Sequence, residues 1–471
     1  MSVTTGWEEA CLFSIWKFTQ QQPVYTDLYR VPFAGSYYNW GFYYFYGLVA
    51  EACLRLFHLD AVWIATAGRL ITIAFTLVTG GIFFLAQKHF AKDGLFANSR
   101  ISWAWCAIAA CSIQVGYSSI SVRPDIGALA FECAGLYAIL RYVSKPSARV
   151  LIAAALLFYV AWAFKQTQVT MLTGSVLALL LLKRWRAFLA LSSIWWLLVI
   201  ATLILGGPAY RESILFSQRH LPMLLGSGLA NAHQAGLRNL FFPLCTAAIL
   251  GISWRSARSI AVRPPDTVVI ATLLFSICFA LVTSCITGAG SAYFLPAGWI
   301  AMLGMSLKSE QVSSRWILTG LVVCSLVMAV GAARASREPG DYRHQDSVHR
   351  AVAEKLSHLP GPAFVAEEYS NLPWVQRYSP HFVLAYAYGF DRIAQVPLED
   401  DGWEGLARDG YFGTVVLASS LNSSTPLNFC LDFDSSYYPP PSLLQNYELA
   451  DEFNDGYVVY KFYRRLGLGP R

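Results

Sequence analysis

Glu8, Glu9 and Asp27 lie near the start of the chain, in GWEEACLFSIWKFTQQQPVYTDLYR. Carboxylates on a segment outside lipid can serve as general bases toward a hydroxyl, or can simply solvate a helix start, where acids complement the dipole. Cations that suit a phosphate follow at Arg123, Lys165, Arg211, Arg219 and His220. Arginine grips phosphate through its bidentate fork, although a lone basic residue on a loop is often only a headgroup contact. Asp125 completes an Arg-Pro-Asp run with Arg123. The most compact setting is Phe164-Lys-Gln-Thr-Gln168, a polar turn between two apolar runs, in which Gln166 and Gln168 can bind sugar hydroxyls. Arg69 and Glu132 fall inside apolar runs, where a charge is costly and is usually paired or functional. Both lie about seven residues into runs that descend from the same side, so at about 1.5 Å per residue they reach similar depth and are expected to form a structural ion pair. Asp432-Phe-Asp434 matches the metal motif of nucleotide-sugar transferases and leaves a divalent metal open, but so short a pattern is a weak signal.

These side chains must be positioned by a chain of 471 residues that is 55% hydrophobic and only 14% charged, a balance that places most of it in lipid. The net charge of +6 does not indicate nucleic acid, because Lys and Arg occur in small clusters between apolar runs, as the positive-inside rule distributes them. A span needs about 20 apolar residues, and about ten stretches are expected to cross the membrane. They fall near Val62 to Ala86, Ile101 to Gly116, Ile126 to Val143, Val150 to Phe164, Val169 to Leu182, Ala187 to Leu205, Leu240 to Ser253, Val268 to Ile286, Ala292 to Leu307 and Trp316 to Gly331. Alternate loops carry basic clusters such as Arg141, Lys145 and Arg149, or Lys183, Arg184 and Arg186, and are expected in the cytoplasm. The other set holds Arg123 with Asp125, Lys165, and the loop from Gly206 to Leu237, and is expected to face outward.

The expected fold is therefore mainly α, a polytopic transmembrane helical bundle with a small C-terminal exoplasmic α/β domain. Residues 1–61 form an exoplasmic acidic loop whose stretch Tyr37 to Phe57, dense in aromatics, is expected to lie at the interface as a helix rather than to span. Residues 62–335 form the membrane domain and 336–471 the soluble domain, with a helical pattern over Val348 to Leu356 and strands at Ala363 to Ala366, Gly413 to Ala418 and Tyr457 to Tyr463. An acidic N-terminal segment rarely crosses a membrane without a preceding signal helix, so the natural chain is expected to begin upstream with one more span. Of 10 Cys, only Cys11 and Cys430 lie clearly outside apolar stretches, so no disulfide framework or zinc spacing is visible. Asn422-Ser-Ser424 fits a glycosylation sequon that often occurs by chance. The compact loops favour a bacterial inner membrane.

Adjacent acids, an amphipathic helix, a turn with Tyr and Asp, and then the aromatic run from Tyr37 through Tyr44 resemble the first exoplasmic loop of GT-C glycosyltransferases. In the protein O-mannosyltransferases and aminoarabinose transferases that loop opens on an Asp-Glu pair and later carries an aromatic KPPLYYW-like segment. Glu8-Glu9 would match the acidic pair, and Tyr37 and Tyr38 would open the aromatic segment. Arg123 to Asp125 in the second outward loop, the many spans and the trailing domain extend the resemblance over most of the chain. This sequence has Glu8 where the family commonly has Asp, and it lacks the double proline. The resemblance implies transfer of a sugar from a polyprenyl-phosphate donor to an exoplasmic glycolipid, polysaccharide or protein acceptor. Glu8 or Glu9 would then be the base, Asp27 a second candidate, and the outward cations the grip on phosphate. Two other classes compete: a lipid or polysaccharide flippase, which would show polar residues and Gly or Pro breaks in paired spans, and a non-catalytic membrane scaffold, which would tolerate loss of all three acids.

Overall fold

A computed structural model describes residues 6–90, 99–111, 116–238, 241–257, 263–307, 339–365, 391–420 and 445–467, apart from 32, 34, 218, 287, 288, 392 and 457, together with positions 319, 322, 323 and 326. The stretch Trp316 to Gly331 falls almost wholly outside the described residues; Cys430, Asp432, Asp434 and Asn422 to Ser424 lie entirely outside them.

The chain is mainly helical. Helix α1 (Gly6–Thr19) packs on α2 (Trp40–Phe57). The latter starts where Asn39 turns its side-chain oxygen onto the Trp40 amide, and it stops where His58 enters the left-handed region at φ 52°. Next come α3 (Ile64–Phe90), entered through a 3-10 turn, α4 (Ser99–Cys111), α5 (Pro124–Ser144), α6 (Ala148–Phe164), α7 (Thr170–Leu181) and α8 (Trp185–Leu205). After the short α9 (Gly207–Arg211) and one π-helical turn follow α10 (Leu225–Arg238), α11 (Phe241–Ala257), α12 (Pro264–Thr283) and α13 (Leu295–Leu307). Pro opens both α5 and α12, where its missing N–H leaves no bond unmade.

Among the described residues, four helices are long and apolar enough to cross a membrane: Ala61–Phe90, Pro124–Ser144, Trp185–Leu205 and Pro264–Thr283. Ala148–Phe164, Thr170–Leu181 and Ser291–Leu307 are apolar but shorter. Helix α8 leaves Leu189, Trp196, Leu197, Ile200 and Ile204 exposed, an apolar surface that suits lipid rather than water. The hydroxyls of Thr72, Thr76 and Thr79 bond back to carbonyls four residues earlier, so α3 carries these hydroxyls with their hydrogen bonds made. Small residues let helices approach closely: a Cβ on Gly174 of α7 would lie 2.4 Å from the Thr272 Cα of α12. The segment between Gly206 and Leu237, expected as a loop, instead contains α10, which is held by the amide of Asn231 donating to the Ser284 and Ala289 carbonyls.

The C-terminal unit holds helix α14 (Pro339–Ser357), strands β1 (Ala363–Val365), β2 (Thr414–Ser420), β3 (Tyr447–Asn454) and β4 (Val458–Arg465), and a short helix at Gly402–Arg408. The sheet order is β1-β2-β4-β3, with β1 parallel to β2 and the other pairs antiparallel. Successive strand side chains take opposite faces. Val416, Tyr460 and Phe462 pack with Val348, Val352 and Leu356 of α14. Val415, Phe412 and Tyr447 face the other way and close over Leu406 together with Phe33 from the N-terminal segment. The Val31 amide donates to the Glu399 carboxylate at 2.8 Å and the Glu399 amide to the Tyr29 carbonyl at 3.0 Å, so the N-terminal segment is clamped to the sheet unit. Strand β3 (YELADEFN) is an edge strand whose acids mark it as solvated, and its apolar alternation is too sparse to announce a strand.

Candidate functional site

Glu8, in the first turns of α1, is fully buried. Its Oε1 accepts from the Arg69 Nε at 3.1 Å and from the Val122 amide at 2.7 Å, and its Oε2 accepts from the Arg69 Nη2 at 2.9 Å. This forked pair ties α1 to α3 and to the segment entering α5. The expected pairing of Arg69 with Glu132 is therefore corrected. Glu132 accepts from the Gln168 side chain at 2.7 Å, from the Thr170 hydroxyl at 3.2 Å and from the Met171 amide at 2.8 Å. Equal depth along two helices does not fix which faces meet, and Glu132 faces the α6–α7 turn rather than α3.

One turn further along, Asp125 sits at the N-terminus of α5, where a carboxylate complements the helix dipole. Its Oδ1 accepts from the Lys165 Nζ at 2.6 Å and its Oδ2 lies 3.2 Å from the Arg123 Nε. All three side chains are nearly excluded from solvent, at 3%, 7% and 10% exposure for Asp125, Lys165 and Arg123. The Lys165 ammonium also lies 4.6 Å from the centroid of the Tyr293 ring, a cation–π contact. Burial pushes the Cys11 thiol of α1 up, and the charges of Arg123, Asp125, Glu8 and Lys165 all act on it, so a single neighbourhood holds the Glu8 pair and the Asp125 group.

The turn 165–168 is the hub. Lys165 reaches Asp125, Gln168 reaches Glu132, and the Gln166 side chain donates to the Tyr37 carbonyl at 2.7 Å. Tyr37 and Tyr38 are both buried, and the Tyr38 carbonyl accepts from the Tyr25 hydroxyl at 2.8 Å. The Asn39 side chain donates to the Trp162 carbonyl at 2.9 Å while its oxygen accepts from Tyr210. The aromatic segment, the Arg-Pro-Asp run, the polar turn and Tyr293 thus meet at one end of the helices. At the opposite end, Arg184 donates to the Tyr142 and Val143 carbonyls that close α5.

Lys17 shows how tightly the N-terminal helix is seated. It is 3% exposed, donates to the Val24 carbonyl at 2.6 Å, and is pushed by burial from its ordinary 10.5 to about 7. Between those pH values the unfolded chain binds a proton that the folded chain does not, so this group makes stability rise with pH, by about 1.4 kcal/mol per pH unit at most. Thermal unfolding of the detergent-purified chain between pH 7 and pH 9 should therefore rise more steeply for wild type than for Lys17→Met; parallel curves would remove Lys17 from this role.

Other expected site residues lie elsewhere. Asp27 is exposed, accepting from the Tyr29 amide at 2.9 Å and pairing with Arg30. Glu9 lies on α1, and its side chain is outside the described residues. Arg211 is exposed. Arg219 pairs with Glu212 at 3.5 Å and sits 5.8 Å from the centroid of the Tyr29 ring. His220 Nδ1 lies 2.6 Å from the Asp391 Oδ1. Sequence reasoning did not point to Tyr293, Thr170 or Asp391. Tyr293 is marked only by the glycine break before it, and nothing in the sequence marks Asp391, which meets His220 across a separation of 171 residues.

Among the described residues no group of three or more His, Cys, Asp or Glu could hold a metal ion. No protein-family model matches the chain, and no curated protein matches it in sequence.

Proposed function

We propose that the chain is an integral membrane glycosyltransferase of the GT-C type, moving a sugar from a polyprenyl-phosphate donor to an exoplasmic glycolipid, polysaccharide or protein acceptor. In this reading about ten spans cross a bacterial inner membrane, and the end of the bundle holding the turn 165–168 faces outward together with the C-terminal unit. The observation that carries the reading is convergence: Glu8, Tyr37, Tyr38, Arg123, Asp125, Lys165, Gln166 and Gln168, scattered over the sequence, gather in one buried polar region where apolar helices end. Burying so many charges is costly, and membrane proteins retain such groups mainly where they handle substrate.

The chemistry asks little of the protein. Polyprenyl phosphate is a good leaving group, so the site must hold the phosphate, orient the sugar and accept one proton from the acceptor hydroxyl in a single inverting displacement. Lys165 and Arg123 supply the cationic grip and Asp125 holds both cations in place, while Gln166 and Gln168 fix the turn by bonding to Tyr37 and Glu132. Glu8, enclosed by Arg69 and the Val122 amide, acts as a brace for this wall rather than as the base. The test is turnover of a panel of radiolabelled polyprenyl-phosphate sugars by the purified full chain, with water or an added acceptor. The reading expects release of polyprenyl phosphate from one donor. No release from any donor, with transbilayer movement of a labelled lipid in reconstituted vesicles, would overturn it in favour of a flippase.

A further inference from the structure

Among the described residues, Glu8 is enclosed by Arg69 and the Val122 amide and Asp27 is exposed and held in a turn, so neither of them stands as a base at the wall of the site. A second group supplies the geometry of one. His220 follows the π-helical turn after α9, Asp391 belongs to the C-terminal unit, and their 2.6 Å contact joins Nδ1 to a carboxylate oxygen. In the tautomer that donates Nδ1–H to this carboxylate, Nε2 keeps its lone pair, the arrangement by which a carboxylate orients an imidazole to take a proton. The His220 side chain is 25% exposed and that of Asp391 14%, so the pair is sheltered yet reachable from one side.

Among the described residues, the charged and titratable groups facing this pair are Tyr29, Arg219, Glu212 and Tyr37. Burial, opposed by the hydrogen bond and charge of His220, leaves the Asp391 carboxyl raised. Burial pushes the Tyr37 phenol up, with the Asp391 charge adding to it, so the pair acts on the residue whose carbonyl anchors Gln166 of the turn 165–168. The pair therefore stands beside the proposed donor site, at the seam between the membrane unit and the C-terminal unit.

We propose that His220 is the catalytic base of the transfer and Asp391 its positioning residue, an inference that rests on the transferase reading. The acceptor hydroxyl gives its proton to His220 Nε2 as its oxygen forms the bond to the anomeric carbon. The bond from that carbon to the phosphate oxygen breaks, and its electron pair leaves on polyprenyl phosphate. Asp391 balances the imidazolium, which then returns its proton to water.

The experiment measures kcat/KM against pH for the donor that wild type turns over, in wild type, His220→Gln and Asp391→Asn, with thermal unfolding of each purified chain as the folding control. His220→Gln should lower kcat about 100-fold, the scale of general base catalysis, with little change in KM, and should abolish the fall in rate on acidification. Asp391→Asn should lower kcat about tenfold or more and keep that pH dependence. If wild type turns over a donor and both variants remain within twofold of it, or lose rate only in step with thermal stability and with an unchanged pH profile, the dyad is overturned and the transferase reading stands. If wild type turns over no donor, the transferase reading fails, and the dyad as its base fails with it.

Discussion

Replacing Lys165 with methionine will lower kcat/KM for the proposed polyprenyl-phosphate donor by about 100-fold or more, the scale on which a preorganised cation or donor at developing charge contributes. Lys165 projects from the hub turn with 7% exposure, 2.6 Å from Asp125 and over the Tyr293 ring, so its ammonium is fixed before substrate arrives. Methionine keeps the length of the stem and removes only the charge. Asp125 keeps Arg123 as a partner in the variant, which limits the damage to folding. Kinetics of the purified variant beside its thermal unfolding separate the two roles: a structural lysine would cost stability and leave kcat/KM of the surviving protein unchanged.

Glu8→Gln will destabilise the chain. The carboxylate accepts from Arg69 twice and from the Val122 amide, and breaking such a buried pair from one side costs about 3–5 kcal/mol. Arg69 is 19% exposed and can turn partly toward solvent, which puts the expected cost at the lower end of that range. The double variant Glu8→Gln/Arg69→Met should recover most of the lost thermal stability, because no unbalanced charge remains. A catalytic Glu8 would give a different pattern: a large loss of rate in the single variant at unchanged unfolding temperature, with no recovery in the double variant. Unfolding curves and donor turnover of the single and double variants decide between them.

The sequence made legible what composition and period control. The apolar runs set the positions of α3, α5 to α8, α12 and α13, because lipid demands uninterrupted helix wherever apolar residues persist. It also located the polar turn 165–168 and the Arg-Pro-Asp run, whose residues meet as Lys165 on Asp125. What it could not convey was facing. Arg69 and Glu132 share a depth, yet a side chain's partner depends on the rotation of each helix, and Arg69 turns to α1 while Glu132 turns to the α6–α7 connection. Strand β3 was invisible because an edge strand facing water carries Glu and Asp where apolar alternation would signal it. Asp391 was invisible for a third reason: a lone acid acquires meaning only from a histidine brought to it by tertiary structure.

The proposed transfer requires that the buried cations at this end of the bundle hold a lipid phosphate. Binding of polyprenyl phosphate, the product shared by all reactions of this class, to the purified full chain in nanodiscs measures that most directly, by native mass spectrometry across a titration. The expected result is saturable binding by wild type, weakened at least about tenfold in Lys165→Met as one buried charge contact is lost, with no comparable binding of the unphosphorylated polyprenol. Equal retention of the phosphate and the alcohol by both proteins would overturn the proposed phosphate site.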